Sequence, residues 1–466
     1  MNDLTREAGA SLTEQLASRY AERIQQRLLL PGARLPSVRE CARRHGVSPY
    51  TVVAAYDQLL ARGLIEARKQ RGFFVREPRA ASAPPRAARH LPELPPPIDA
   101  TALIRGMFLG RAAGNAPGLG TLPPQWLDLP LLNTALRRAM STAGASALQY
   151  GDPAGDARLR EVLSRRLADV GVAAQARQIV TTVGATHALD VISRTLLRPG
   201  DAVLVDEPGW AVEYARLTRQ GLRLLPVPRG VDGPDLEAME ALARAHAPKL
   251  YATVSVLHNP TGGSLPLAAA HRVLKLAEAH DFMVVEDDTY AHFAPEHAPR
   301  LAALDGLQRT IYVSGFSKIL SPGWRVGYLA APAHWVERFI DTKLLSTLTT
   351  PALLEHAVAL MLEQGALRRH AERIATRLAA ARARSVRLAL ETGCRFAAPP
   401  QGLFGWLDVG VDTERLAQAM HDEGWLLAPG TLFHATPRPT TLMRINFATS
   451  QEARFWRALH LTRGAL

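Results

Sequence analysis

A lysine becomes a useful nucleophile toward a carbonyl carbon when its surroundings desolvate it and other charges hold it in place. Lys318 lies in the string Ser314-Gly-Phe-Ser-Lys-Ile-Leu-Ser-Pro-Gly-Trp-Arg325, directly after the apolar run Thr310–Val313, and Arg325 follows seven positions later. Alone, such a lysine reads as a solvated surface residue. Its company changes that. Asp287 ends the run Val284-Val285, with Tyr290 three residues on. His258-Asn259-Pro-Thr-Gly262 follows Leu250–Val254, Pro208-Gly-Trp210 follows Ala202–Val205, and Gly184-Ala185-Thr186 follows Ile179–Val183. Polar and aromatic residues gathered at the ends of several apolar strands are what a ligand crevice in an α/β sheet requires.

The elements that must position these residues begin near residue 100, where helices alternate with short apolar strands. That alternation predicts an α/β fold with a mostly parallel central sheet covered on both faces, and its ligand at the strands' C-terminal ends. The last hundred or so residues read as a smaller C-terminal α+β lobe.

Upstream lies a separate compact region, residues 12–75. A helix is expected from about Leu16 to Leu30, with Tyr20, Ile24 and Leu28 on one face and Pro31-Gly32 ending it. Ser37-Val-Arg-Glu40 reads as a capping box opening a short helix that stops at Gly46. Ser48 caps the next helix, with Pro49 at its first position and Val52, Ala55 and Leu59 facing inward. Gly63 stops that helix, and two short strands follow around Lys69-Gln70-Arg71-Gly72. Helix, helix, tight turn, helix and hairpin make a winged helix-turn-helix. Its DNA-facing candidates are Ser48, Tyr50 and Thr51 on the recognition helix, Arg39 on the supporting helix, and Arg68, Lys69, Arg71 and Gly72 in the wing. Ser48 reads equally as a cap and Tyr50 equally as a surface aromatic. The Pro/Ala/Arg-rich stretch 76–99 is a semi-extended linker. The expected division is a head at 1–77, a linker at 78–118 and a body at 119–466.

Charge agrees with this division. Residues 1–90 hold sixteen Arg or Lys against eight Asp or Glu, so most of the chain's net +12 sits in its front fifth. A basic front end suits a polyanionic partner, double-stranded DNA above all. Cys41 and Cys394 are the only cysteines, which argues against a disulfide framework or a metal cluster and for a reducing compartment. No apolar run approaches the roughly 20 residues that span a bilayer. The N-terminal residues show no export signal, so a cytoplasmic protein is expected.

Two resemblances follow from these strings. Leu35-Pro-Ser-Val-Arg39, Gly46-Val-Ser-Pro-Tyr-Thr-Val-Val53, Leu60-Ala-Arg-Gly-Leu-Ile65 and Arg71-Gly-Phe-Phe-Val75 resemble the GntR-type winged-helix head. That family usually has a basic residue after the serine, where this chain has Pro49, which leaves Arg43 or Arg44 as substitutes. Residues from about 120 to 450 resemble fold-type I pyridoxal-phosphate enzymes of the aspartate-aminotransferase class. The resemblance implies that Lys318 forms a Schiff base with the cofactor and that Asp287 pairs with its pyridine nitrogen. It implies that Asn259 and Tyr290 hold the phenolic oxygen and that Trp210 stacks on the ring. The phosphate is expected on the helix N-terminus at Gly184-Ala185-Thr186 with Arg325, joined by Tyr150 from a neighbouring subunit. Arg444, in Leu442-Met-Arg-Ile-Asn446, matches the arginine that forks a substrate carboxylate; otherwise it reads as a surface strand residue. The family prefers Ser or Thr where this chain has Gly315, with Ser314 or Ser317 as candidate replacements, and Ala185 also replaces a common hydroxyl.

Head plus body resembles the MocR/GabR regulators. This implies a homodimeric, pyridoxal 5'-phosphate-dependent transcriptional regulator that senses an amino compound (γ-aminobutyrate, taurine or another amino acid) or the cofactor itself. The alternative is an active aminotransferase with an appended head; a DNA-binding protein whose body is only a dimerisation scaffold is a third reading.

Overall fold

The computed structural model describes residues 11–25, 29, 31–68, 71–76, 115–144, 148–294 and 297–466. Lys69 and nearly all of the expected linker lie outside the described residues. Two compact units emerge, a head and a body.

In the head, α1 (Leu12–Gln25), α2 (Val38–His45) and α3 (Pro49–Ala61) precede a hairpin of β1 (Ile65–Arg68) and β2 (Gly72–Val75). Helix α1 starts four residues before the expected Leu16. The reason is a reciprocal cap: Ser11 Oγ accepts from Glu14 N at 3.2 Å while Ser11 N donates to Glu14 Oε2 at 2.9 Å. At α2 only half of the expected box forms. Ser37 Oγ accepts from Glu40 N, but the Glu40 carboxylate turns along the helix to Arg44 at 3.5 Å. Gly46 closes α2 in the left-handed region at φ 63°. Leu16, Tyr20, Val52, Tyr56, Leu59, Ile65 and Val75 form the head's core. The hairpin gains a third edge, because Leu35 N donates to Phe73 O and Val75 N to Ala33 O, each at 2.8 Å.

The body opens with α4 (Leu129–Ala143) and α5 (Ala157–Asp169). Its large sheet then alternates with helices: β3 (Ile179–Thr182), α6 (Ala185–Leu196), β4 (Ala202–Glu207), α7 (Ala211–Arg219), β5 (Arg223–Gly230), β6 (Gly233–Pro234), α8 (Leu236–His246) and β7 (Leu250–Thr253). It continues through α9 (Leu267–Ala279), β8 (Met283–Asp287), α10 (Leu301–Asp305), β9 (Thr310–Gly315) and β10 (Gly327–Ala330). Helices α11 (Val336–Thr347), α12 (Ala352–Glu363) and the long α13 (Ala366–Glu391) lead to a second sheet. That sheet comprises β11 (Arg395–Phe396), β12 (Phe404–Asp408), β13 (Ala428–Pro429) and β14 (Leu442–Asn446), with α14 (Thr413–Asp422) between β12 and β13 and α15 (Ala453–Gly464) at the end.

The large sheet runs β3-β10-β9-β8-β7-β4-β5-β6. Strands β9, β8, β7, β4 and β5 are parallel, whereas β10 is antiparallel to both neighbours. Side chains alternate between two cores. Val203, Val205 and Val285 pack with α6 and α11 residues on one face. Leu204, Tyr251 and Val284 pack with α8 and α9 residues on the other. Burial on both faces is why these strands read as continuous apolar runs. The small sheet, β11-β12-β14-β13, is antiparallel throughout.

The head's small core makes a local prediction. Leu59→Ala removes a fully buried side chain at a cost of about 2–5 kcal/mol, comparable to the whole stability of a domain this size. Hydrogen exchange should accelerate throughout residues 12–75 while β3–β10 keep their protection; uniform exchange changes across both units would contradict independent cores.

Candidate functional site

The topology brings the predicted residues to one edge. β7, β8, β9 and β4 are parallel, so Asn259, Asp287, Lys318 and Trp210 all follow C-terminal ends on the same side. Antiparallel β10 starts at that edge, which places Arg325 there although it precedes its strand. Helix α6 starts there too, directly after β3, with no side chain capping its first turn.

Three glycines make that corner. Gly184 has φ 78°, and a Cβ on it would stand 2.3 Å from the Arg325 guanidinium. A Cβ on Gly327 would stand 2.5 Å from the Gly184 carbonyl carbon. At Gly315 a Cβ would be 3.1 Å from Val326 O and 3.2 Å from Gly327 Cα. The hydroxyl usual at that position therefore has little room here. Of the two candidate serines, Ser317 reaches Arg325: its Oγ accepts from Arg325 Nη1 at 2.8 Å. Ser314 does not, because its hydroxyl is buried and donates to Asp288 O. Arg325 also donates to Val183 O at 3.1 Å, and its backbone sits at φ 50°, a region that non-glycine residues enter rarely and mostly at constrained sites.

Lys318 is desolvated. Burial, reinforced by the charge of Arg444, lowers its ammonium to about 8 even though Asp287 opposes the shift. Asp287 is pushed up to about 6, first by burial and then by Glu213 and Asp288, against hydrogen bonds from Thr289. Thr289 N donates to Asp287 Oδ1 at 3.0 Å and fixes the carboxylate. Tyr290 is buried, its hydroxyl also raised by burial, and its ring meets Phe404 edge-on at 5.3 Å.

Arg444 overturns its plainer reading as a surface strand residue. It is 5% exposed on β14, opposite Trp406 of β12. Nη1 donates to Asn259 Oδ1 at 2.8 Å and Nη2 to Gly118 O at 2.6 Å, while Nε has no partner. Phe404 and Phe433 hold the guanidinium between them at 4.5 and 5.0 Å. Burial lowers its pKa to about 10. The arginine of the small sheet is thus joined directly to the asparagine of the large one.

Several supporting residues escaped the sequence reading. Thr289 and Glu213 flank Asp287. Behind Asn259, Asp206 accepts from Tyr251 at 2.5 Å, Thr253 at 2.6 Å and Arg229 at 3.1 Å, with His258 at 3.5 Å. Burial alone would raise Asp206, but Arg229 and the hydrogen bonds from His258 and Thr253 outweigh it and hold the carboxyl below its usual range. These partners are tens of residues apart, so only Thr289, two residues from Asp287, left a local signal.

In the head, Tyr50 is 82% exposed on the first turn of α3. Arg39 and Arg71 are exposed as well. Ser48 serves as the cap, its Oγ accepting from Thr51 N at 3.1 Å and pairing with Thr51 Oγ1 at 2.8 Å. Arg68 turns back onto the hairpin, bonding Glu66 at 2.9 Å and stacking on Phe74 at 4.5 Å. Tyr150 is 82% exposed on the body. Among the described residues no group of His, Cys, Asp and Glu could hold a metal ion, and no helix is long and apolar enough to cross a membrane.

This sheet order and crevice are those of the aminotransferase class I and II family, to which the chain belongs; residues 125–460 match that family. Residues 12–75 match the gntR family of bacterial regulatory proteins, so the chain joins a DNA-binding head to an aminotransferase-like body. Relatives spanning both parts include the HTH-type transcriptional regulator TauR of Rhodobacter capsulatus, 32% identical over 91% of this chain and 90% of its own. The 2-aminoadipate transaminase of Thermus thermophilus is 30% identical over 76% of this chain and 90% of its own. Among solved structures, the α-aminoadipate aminotransferase LysN of Thermus thermophilus, complexed with N-(5'-phosphopyridoxyl)-L-leucine, superposes with a TM-score of 0.72. It is 27% identical and covers 78% of this chain and 94% of that one.

Family and structural neighbours imply pyridoxal phosphate as the cofactor, and the crevice fits it. The glycine corner leaves an uncapped helix N-terminus beside a cation, as a phosphate needs. A desolvated lysine and a raised carboxylate suit an aldehyde and a basic ring nitrogen. Because the neutral amine is the reactive form, uptake of the cofactor by the apo protein should quicken as pH rises through about 8 rather than about 10.5. Stopped-flow absorbance would measure this; a rate that climbs only near the higher value would contradict the desolvation.

Proposed function

We propose that this protein is a transcriptional regulator that binds operator DNA through its head and reads an amino compound through its cofactor site. One observation carries the reading. In a chain with a winged-helix head, a half-buried lysine just after β9 of the large sheet and a buried arginine from the small sheet stand close enough for the charge of the arginine to lower the pKa of the lysine.

In this reading Lys318 would hold the cofactor's aldehyde carbon, Asp287 its ring nitrogen, Asn259 and Tyr290 its phenolic oxygen, and Trp210 its ring face. Its phosphate would rest on the α6 amides of Ala185 and Thr186, beside Arg325 and Ser317. When bound, the cofactor supplies an electrophilic carbon that a primary amine can claim from Lys318. Asp287, when ionised, would keep a proton on the cofactor's ring nitrogen. Arg444 offers its guanidinium to the acid group of the incoming amine, and the flanking Phe404 and Phe433 keep the fork in plane. An amine with a carboxylate or similar acid is therefore the signal class. LysN, complexed with a phosphopyridoxyl-leucine, supports an amino acid in such a site.

The body is also the dimerisation unit in this proposal. Tyr150 and neighbouring Leu148, 82% and 90% exposed, are offered to a second copy, with Tyr150 reaching that copy's phosphate site. The division is a head at 1–77, a linker at 78–118 and a body at 119–466, in the cytoplasm. A second reading, an active aminotransferase, is favoured by the complete residue set and by the transaminase relative; steady-state keto-acid production would select it.

Operator titrations with wild type and Lys318→Ala, with and without the amine, test the main reading. Wild type should shift its operator affinity by about 5–150-fold with the amine, the range of typical couplings. Lys318→Ala should bind operator and lose the shift; equal responses would remove the lysine from the signal. Binding should weaken steeply with salt. Arg71→Ala should weaken all sequences alike, and Tyr50→Ala should change sequence preference.

A further inference from the structure

A second cleft opens in the body, outside the crevice of Lys318. It has a volume of about 300 Å³ and lies between the turn Pro124–Trp126, with the residues after it, and the first half of α13. His370, Arg373 and Arg377 stand at helical spacing on the α13 face that lines it. Arg377 lies over the Trp126 ring at 4.8 Å, and Arg373 donates to Asp128 Oδ2 at 2.7 Å. With Asp128 offsetting one guanidinium, the cleft wall carries one cation in excess, the other guanidinium resting on the buried Trp126 ring.

His370 forms the floor, 2% exposed. Its Nε2 is 2.9 Å from Ile319 O, and a carbonyl can only accept, so Nε2 carries the proton. Burial lowers the imidazole's pKa and keeps it neutral, which leaves the Nδ1 lone pair facing Arg373 Nη2 at 3.5 Å. Ile319 is the residue after Lys318. A continuous polar path therefore runs from the cleft through Arg373 and His370 to the peptide next to the cofactor lysine.

We propose that this cleft binds a small planar organic carboxylate and that the Arg373–His370 path reports its occupancy to the Lys318 segment. The acid takes the guanidinium of Arg377, its flat body fills the cleft between Pro130 and the α13 face, and it competes with Asp128 for Arg373. Arg373 then changes its approach to Nδ1, and His370 passes the change to Ile319 O. The cleft itself does not depend on the cofactor; the reporting half rests on the cofactor reading of Lys318.

Benzoate is the probe, titrated into the full-length, cofactor-loaded protein by calorimetry and by visible absorbance. Saturable binding is expected, weakened at least about tenfold by Arg377→Gln, as loss of a charged hydrogen-bonding partner requires, and unaltered by Arg368→Gln, an exposed arginine of the same helix outside the cleft. The cofactor absorbance should move with benzoate. His370→Asn, too short to reach Ile319 O, should abolish that movement, and His370→Gln, which can place an amide near Nε2, should keep it. The proposal is overturned if benzoate fails to saturate, if Arg377→Gln leaves binding unchanged or weakens it no more than Arg368→Gln, or if the absorbance ignores benzoate or responds equally in His370→Asn. A protein that carries no visible cofactor would refute the cofactor reading instead, while the calorimetric comparison would still decide the cleft.

Discussion

Burying ionic groups at the edge of a sheet is the constraint on which the rest of this structure depends. Arg444 is withdrawn from water and Lys318 and Asp287 are half-buried beside it, and an isolated charge taken out of water is strongly unfavourable. The fold offsets this in two ways. Lys318 and Asp287 move their proton affinities toward neutrality, to about 8 and about 6. Arg444 cannot readily lose its proton, so it is clasped by Gly118 O, Asn259 and two aromatic faces. A crevice charged in this way favours a ligand that brings an aldehyde, a basic nitrogen and anions. The same imbalance that makes the site costly to fold makes it selective.

Backbone proximity makes the crevice possible. Gly184, Gly315 and Gly327 let the start of α6, the end of β9 and the start of β10 meet at distances that exclude a Cβ or leave it little room. Arg325 fills the corner so formed, bonded to Ser317 and Val183 O. Gly315 allows the tight strand contact, and the hydroxyl that meets Arg325 comes from Ser317, two residues along the chain.

A regulator and an enzyme place the same demand on such a site up to the moment the amine is held. What separates them is where the binding free energy goes. An enzyme applies it to the transition state. A regulator applies it to one of two arrangements of its own chain, and only the difference in affinity between the two counts. The contact between Arg444 of the small sheet and Asn259 of the large one is where such a difference can arise, since a ligand acid competes for that same guanidinium.

Much of this was legible in the sequence because it is local. Proline at the first position of α3, glycine at the left-handed end of α2 and short apolar runs at strand length each act within a few residues. The winged-helix order and the strand-end positions of Asp287, Asn259 and Lys318 follow from such signals. Local reading also erred locally: Ser11 and Glu14 form the full capping box, while Glu40 leaves its box for Arg44. Tertiary structure alone decided the partners. Ser317 rather than Ser314 serves Arg325 because the alternation of β9 turns Ser314 inward. Arg444 is buried rather than exposed because Phe404, Phe433 and Gly118 close over it from distant parts of the chain. Asp206 stays ionised because Arg229, Thr253 and His258 converge on it. Residue type and spacing determine which groups can do chemistry; burial and charge pairing, summed over contacts far apart in the chain, determine which of them are poised to do it.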